Sequence, residues 1–145
     1  MLAKMAFVIY ATTVSYILAA FFFPFVDKDI APDMKELSKI TKLTKHNHIF
    51  LVDGDGEYIG RCNPVTRTII INKLYWETMT QKERIITLAH ELYHCNCIRT
   101  HNNKIKNGCY DSYMSSYNTS GLCLKNNYDK YIEQIKLGCE YELTD

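Results

Sequence analysis

The chain carries almost no excess of charge of either sign: 17 lysines and arginines stand against 16 aspartates and glutamates in 145 residues. The basic residues are scattered, so the clustered positive face that grips phosphate backbones is missing and no nucleic acid is expected as a partner. No segment repeats and no low-complexity tract interrupts the chain, which excludes solenoid arrays. Six cysteines are present, but Cys95 and Cys97 lack the C-x-x-C spacing of structural zinc sites.

Charge is also absent from Met5 to Val26, MAFVIYATTVSYILAAFFFPFV. As a helix this run would extend about 33 Å, enough to cross a hydrocarbon core of about 30 Å. Thr12, Thr13 and Ser15 are too few and too mild to form the polar stripe of a globular helix. The expected organisation is therefore a transmembrane signal anchor over residues 1–27 and one domain over 28–145. Lys4 precedes the run and Asp27, Lys28 and Asp29 follow it, which favours a cytoplasmic N-terminus and an extracytoplasmic domain. Secretion after cleavage near Leu18-Ala19-Ala20 is the alternative, although Phe21 to Phe23 continue the apolar run.

A domain of this size can bury about two thirds of its unfolded surface, so a monomer suffices. The cysteines, at 62, 95, 97, 109, 123 and 139, fit an oxidising compartment. Sequence alone leaves about 15 connectivities open, with Cys109–Cys123 the first pairing to expect.

Met34, Leu37, Ile40 and Leu43 recur every three residues behind Pro32, which predicts an amphipathic helix to about Lys45. His48 to Asp53 and Tyr58 to Cys62 flank Gly54-Asp55-Gly56 and read as a hairpin. Thr66 to Asn72, rich in β-branched residues, is the clearest strand. Thr80 and Glu83 form a capping box that starts a helix running to about Cys97, with a broad apolar face from Ile85 to Tyr93. Tyr128, Tyr131, Ile132 and Ile135 mark a last helix, with Gly138 as its C-cap. The expected class is α+β: a short mixed sheet, a central helix and a C-terminal helix.

On the central helix His90 and His94 are four residues apart, so both imidazoles leave one face and can share a tetrahedral ion. Glu91 points to the neighbouring sector, within reach of a water at that ion as general base. The bland reading has both rings bonded to backbone carbonyls and Glu91 solvated. A catalytic Zn2+ takes three protein ligands, and His101 is the leading third, with Asp111 and Glu133 in reserve. His46 and His48 read as exposed linker residues.

The segment Ala89 to His101, AHELYHCNCIRTH, resembles the zinc motif of small phage and bacterial metallopeptidases, HELGHC followed by five residues and a histidine, with Tyr93 in place of the glycine. Ser112-Tyr113-Met114, preceded by Gly108-Cys109, is similar to that family's Ser-x-Met, itself like the Met-turn of metzincins. Gly60-x-Cys62, the strand Ile69 to Ile71, Trp76 and Arg84 fall in the family's order, so the likeness covers about residues 50 to 137. One departure is the interval from His94 to His101, one residue longer than in metzincins and without their glycine.

The resemblance implies a zincin-like domain, with His90, His94 and His101 as zinc ligands, Glu91 as base, Met114 as a support beneath the ion, and a protein or peptide as substrate. By analogy with such folds, Thr66 to Asn72 borders the substrate cleft, and Tyr113 or, as first choice, Tyr117 donates to the oxyanion. Two rival classes stand beside this one. In the first, a membrane-tethered binding or structural protein uses zinc only to hold itself together. In the second, a small membrane protein acts through its anchor and the motif is accidental.

Overall fold

The computed structural model describes residues 24–44, 46–116 and 121–141. It is a small α+β structure in which a central helix packs on a short mixed sheet and two further helices pack on that helix. Most of the proposed membrane segment, residues 1–23, lies outside the described residues. Among the described residues no helix is long and apolar enough to cross a membrane. The end of that segment belongs to the sheet instead. Val26 bridges to Ile49, Ile49 N–H donates to Phe25 O at 2.7 Å, and Asp27 N–H donates to Ile49 O at 2.9 Å.

The first helix, α1 (Ala31–Ile40), starts on a proline in its first turn and buries Met34 and Leu37. It stops five residues short of the expected Lys45, because Thr41 adopts an extended backbone. The Thr41 hydroxyl accepts from Leu43 N–H at 3.4 Å, the local side-chain bond by which threonine competes with helix. A 3-10 turn, Lys42–Thr44, follows.

Strands β1 (His48–Val52), β2 (Gly60–Asn63) and β3 (Thr68–Asn72) lie in the order β1-β3-β2. The expected hairpin of the first two strands does not form: β1 runs parallel to β3, and β2 pairs antiparallel with β3. Turn signals at Gly54–Gly56 suggested a direct return, but Ile69 and Ile71 are fully buried and hold the central position. His48 opens β1, and its Nδ1 accepts from Phe25 N–H at 3.2 Å, so it is a strand residue rather than a linker. A one-turn helix, α2 (Lys73–Trp76), follows β3 behind an Asn72 cap.

The central helix α3 (Gln81–Cys97) begins at the anticipated capping box. Thr80 Oγ1 accepts from Glu83 N–H at 3.4 Å, and Thr80 N–H donates to Glu83 Oε2 at 2.7 Å. Leu88, Ala89, Leu92 and Tyr93 are fully buried, as befits a helix packed on α1, β2 and β3 and on the last helix, α4 (Gly121–Leu137). Removing side chains as large as those of Leu88 and Leu92 from water contributes about 1.5–3 kcal/mol each. Gly138 ends α4 at φ 55° and starts a 3-10 turn, Gly138–Glu140. A two-stranded hairpin, β4 (Ile105–Lys106) and β5 (Cys109–Tyr110), occupies the stretch that showed no periodicity.

Three disulfides close the domain. Cys109–Cys123, the anticipated pair, ties the small hairpin to α4. Cys62–Cys95 fastens β2 to α3, and Cys97–Cys139 fastens the end of α3 to the turn after α4.

Candidate metal centre

His90 and His94 leave α3 one turn apart, as their spacing requires, and their Nε2 atoms lie 2.9 Å from each other. Bringing a third histidine to them requires the chain to reverse soon after His94. Ile98 does this by adopting the left-handed conformation at the helix end, φ 53° and ψ 45°. His101 Nε2 then stands 3.2 Å from His90 Nε2 and 3.1 Å from His94 Nε2.

The protons on these rings are fixed by carbonyl oxygens, which can only accept. His90 Nδ1–H donates to Tyr113 O at 3.1 Å, and His94 Nδ1–H donates to Arg99 O at 2.6 Å. In the neutral rings both Nε2 atoms therefore present bare lone pairs to each other. Burial, and secondarily the neighbouring His94, lowers the His90 pKa to about 3, so that ring is neutral at physiological pH. His101 is also lowered, by burial and then by His94. Two facing acceptors repel unless a cation lies between them. Three nitrogens at tetrahedral zinc, each about 2.0–2.1 Å from the ion, would stand about 3.3 Å apart, within a few tenths of the spacings seen here. The three-histidine group thus fits a metal ion.

A turn supports these rings from behind. Tyr113 O receives His90, Met114 O accepts from Asn102 N–H at 2.9 Å beside His101, and Ser112 Oγ accepts from Met114 N–H at 2.9 Å. Ser112 and Met114 are fully buried. Helix α4 holds the turn through Gln134, which donates to Asp111 O at 2.9 Å and accepts from Tyr113 N–H at 3.2 Å. Tyr131 adds a bond from its hydroxyl to Tyr110 O at 2.6 Å.

Glu91 is 6% exposed, and burial pushes its carboxyl up to about 7. It shares with His90 and His101 a cleft of about 400 Å3, whose opposite wall is formed by Glu57 to Gly60 and whose rim includes Tyr75, Ser115 and Ser116. This segment leads into β2, an edge strand whose first residue is Gly60. The strand first expected there, β3, is central in the sheet and paired on both sides.

The remaining sequence candidates fall elsewhere. Asp111 is ion-paired with Lys130, and Glu133 is exposed on α4 and paired with Lys136 at 2.5 Å, so neither joins the histidines. His46 is exposed in the turn before β1. Tyr117 lies outside the described residues. Tyr113 is 2% exposed, with its ring packed 5.9 Å from Tyr93 and 5.6 Å from Tyr141. Trp76 and Arg84 meet: the guanidinium carbon of Arg84 lies 4.9 Å from the centre of the indole ring.

No protein-family model, curated protein or solved structure matches the chain. Gln134, Arg99 and Asn102 were missed from sequence. Arg99 and Asn102 act through backbone atoms, and backbone roles leave no residue-type signature.

Proposed function

We propose that the protein is a zinc-dependent metallopeptidase, similar to zincins, that hydrolyses peptide bonds in a protein or peptide substrate. The observation that carries this is the pair of facing Nε2 lone pairs on His90 and His94, with His101 beside them and the buried Glu91 in the same cleft. A structural zinc site fills all four positions with protein groups, whereas three nitrogens leave one position open. Three disulfides already brace the domain, so a purely structural ion is not needed for that purpose.

When bound, a zinc ion lowers the pKa of water toward about 7 and polarises a carbonyl. The chain supplies the rest. His90, His94 and His101 hold the ion through Nε2, and the Tyr113 and Arg99 carbonyls orient the first two rings. A Glu91 carboxylate oxygen accepts the proton of the attacking water and returns it to the leaving amine nitrogen. Burial favours a neutral Glu91, and a cation held by the three histidines would favour the ionised form that a base requires.

Three disulfides suit an oxidising compartment, and an apolar run from Met5 to Phe23 is long enough to anchor the domain in a membrane. The proposal therefore places a monomeric catalytic domain outside the cytoplasm, tethered by residues 1–23. Glu91→Gln tests the mechanism. It should bind zinc like the wild type and cleave no peptide, whereas retained turnover of a mixed peptide library would refute Glu91 as base.

A further inference from the structure

The outer face of the sheet carries a row of side chains that the metal site does not use. Val26 bridges to Ile49 and packs on the core, so Phe25 projects to the other side, where its ring stacks on Phe50 with centroids 5.0 Å apart. Phe50 is paired with Ile70 across β1 and β3, and Ile70 with Arg61 across β3 and β2. The Arg61 guanidinium carbon lies 4.1 Å from the centre of the Tyr58 ring. One row thus crosses the sheet as Phe, Phe, Ile, Arg, and its two phenylalanines are 50% and 37% exposed.

We infer that this face rests on the surface of a phospholipid bilayer, with Phe25, Phe50 and Ile70 in the acyl-chain boundary and Arg61 against lipid phosphates. The inference depends on the anchor proposed above and adds to it a second, peripheral contact. It follows from chain length. The charge-free run from Met5 continues to Val26, but Phe25 and Val26 already pair with Ile49 of β1, so a spanning helix would have to end by Phe23. Two residues can span at most about 7 Å, so an anchor ending there brings Phe25 to the membrane surface. Phe50 is stacked on Phe25 and must arrive with it. A row of aromatic and aliphatic side chains closed by an arginine is the composition that an interfacial surface takes. A second copy of the chain is a poorer occupant, because a stable dimer buries about 800 Å2 on each partner and this row is four residues long.

The test uses the full chain reconstituted in phosphatidylcholine–phosphatidylglycerol vesicles for flotation, and in nanodiscs of the same lipids carrying nitroxide-labelled lipid for methyl NMR. The protein should float with the vesicles, and the Ile70 methyl should relax several-fold faster than that of Ile105, which is exposed on the small hairpin. Phe50→Ser should reduce the Ile70 effect without changing the thermal melt. Flotation with equal relaxation of Ile70 and Ile105 would overturn the docked face and leave the anchor standing. Failure to float would overturn both. Ile70 protection that depends on protein concentration, and not on labelled lipid, would assign the face to a second copy and overturn the lipid contact.

Discussion

Gly60 and Glu91 are in such close contact that a Cβ at position 60 would lie 2.8 Å from both Cγ and Oε1 of Glu91. The edge strand can wall the cleft at this point only because that residue has no side chain. The cheapest relief for an added methyl group is rotation of the flexible Glu91 side chain, rather than movement of strand or helix. Gly60→Ala should therefore leave zinc content and melting temperature nearly unchanged while lowering kcat/KM by about 100-fold, the scale of an ångström-level displacement of a reacting group. Peptide turnover compared with metal analysis checks this, and a variant with full activity would remove the constraint.

Gln134 does not touch the metal group, yet it holds the turn whose Tyr113 carbonyl orients His90. Loss of an outer support of this kind typically weakens metal binding about 10-fold or more. Gln134→Ala should raise the zinc Kd by that factor in competition with a chelator. Glu133→Ala, one residue away and exposed, should leave it unchanged, and a large effect there would restore Glu133 as a ligand.

Ile98 holds a left-handed backbone that β-branched residues avoid at a cost of about 1–2 kcal/mol, and its side chain is 78% exposed. Ile98→Gly removes that strain but gives the unfolded chain more freedom, an opposing effect of about 0.4–1 kcal/mol. The net change should be a gain of about 0.5–1 kcal/mol in denaturant unfolding, with zinc still bound. Destabilisation would mean that Ile98 contributes packing that its exposure does not reveal.

Asp111 forms an ion pair with Lys130 of α4. The hydrogen bond from Lys130 holds its carboxyl below the usual carboxylate range, with further help from the charges of Lys130, Lys106 and Lys104. A depressed folded pKa stabilises the fold above the unfolded value, near 3.8, and that stabilisation disappears as pH falls through the lower folded value. Lys130→Met should thus unfold more easily than wild type at neutral pH, and the gap should close in strong acid. A gap that persists there would assign the loss to packing of the lysine stem.

The parts of the fold legible in sequence were those written in local periodicity and capping. Thr80 and Glu83 announced α3, the four-residue spacing announced the facing imidazoles, and Gly138 announced the end of α4. Sheet order was not legible: Gly54–Gly56 signals a turn but does not say which strand comes next, and the burial of Ile69 and Ile71 decided that β3 lies between the other two. The end of α1 was overrun because Leu43 keeps the apolar period while Thr41 breaks the backbone. His101 could be nominated by its interval, but its return depends on the left-handed Ile98, a conformation that isoleucine rarely adopts and that sequence therefore does not suggest.

The most direct test of the central claim is the zinc content of the purified full chain after exhaustive dialysis, measured on the wild type, His94→Ala and Glu91→Gln. One zinc per chain is expected in the wild type and in Glu91→Gln, and almost none in His94→Ala. A wild-type chain that retains no zinc, or a His94→Ala chain that retains a full equivalent, would contradict the metal centre and the hydrolase built on it.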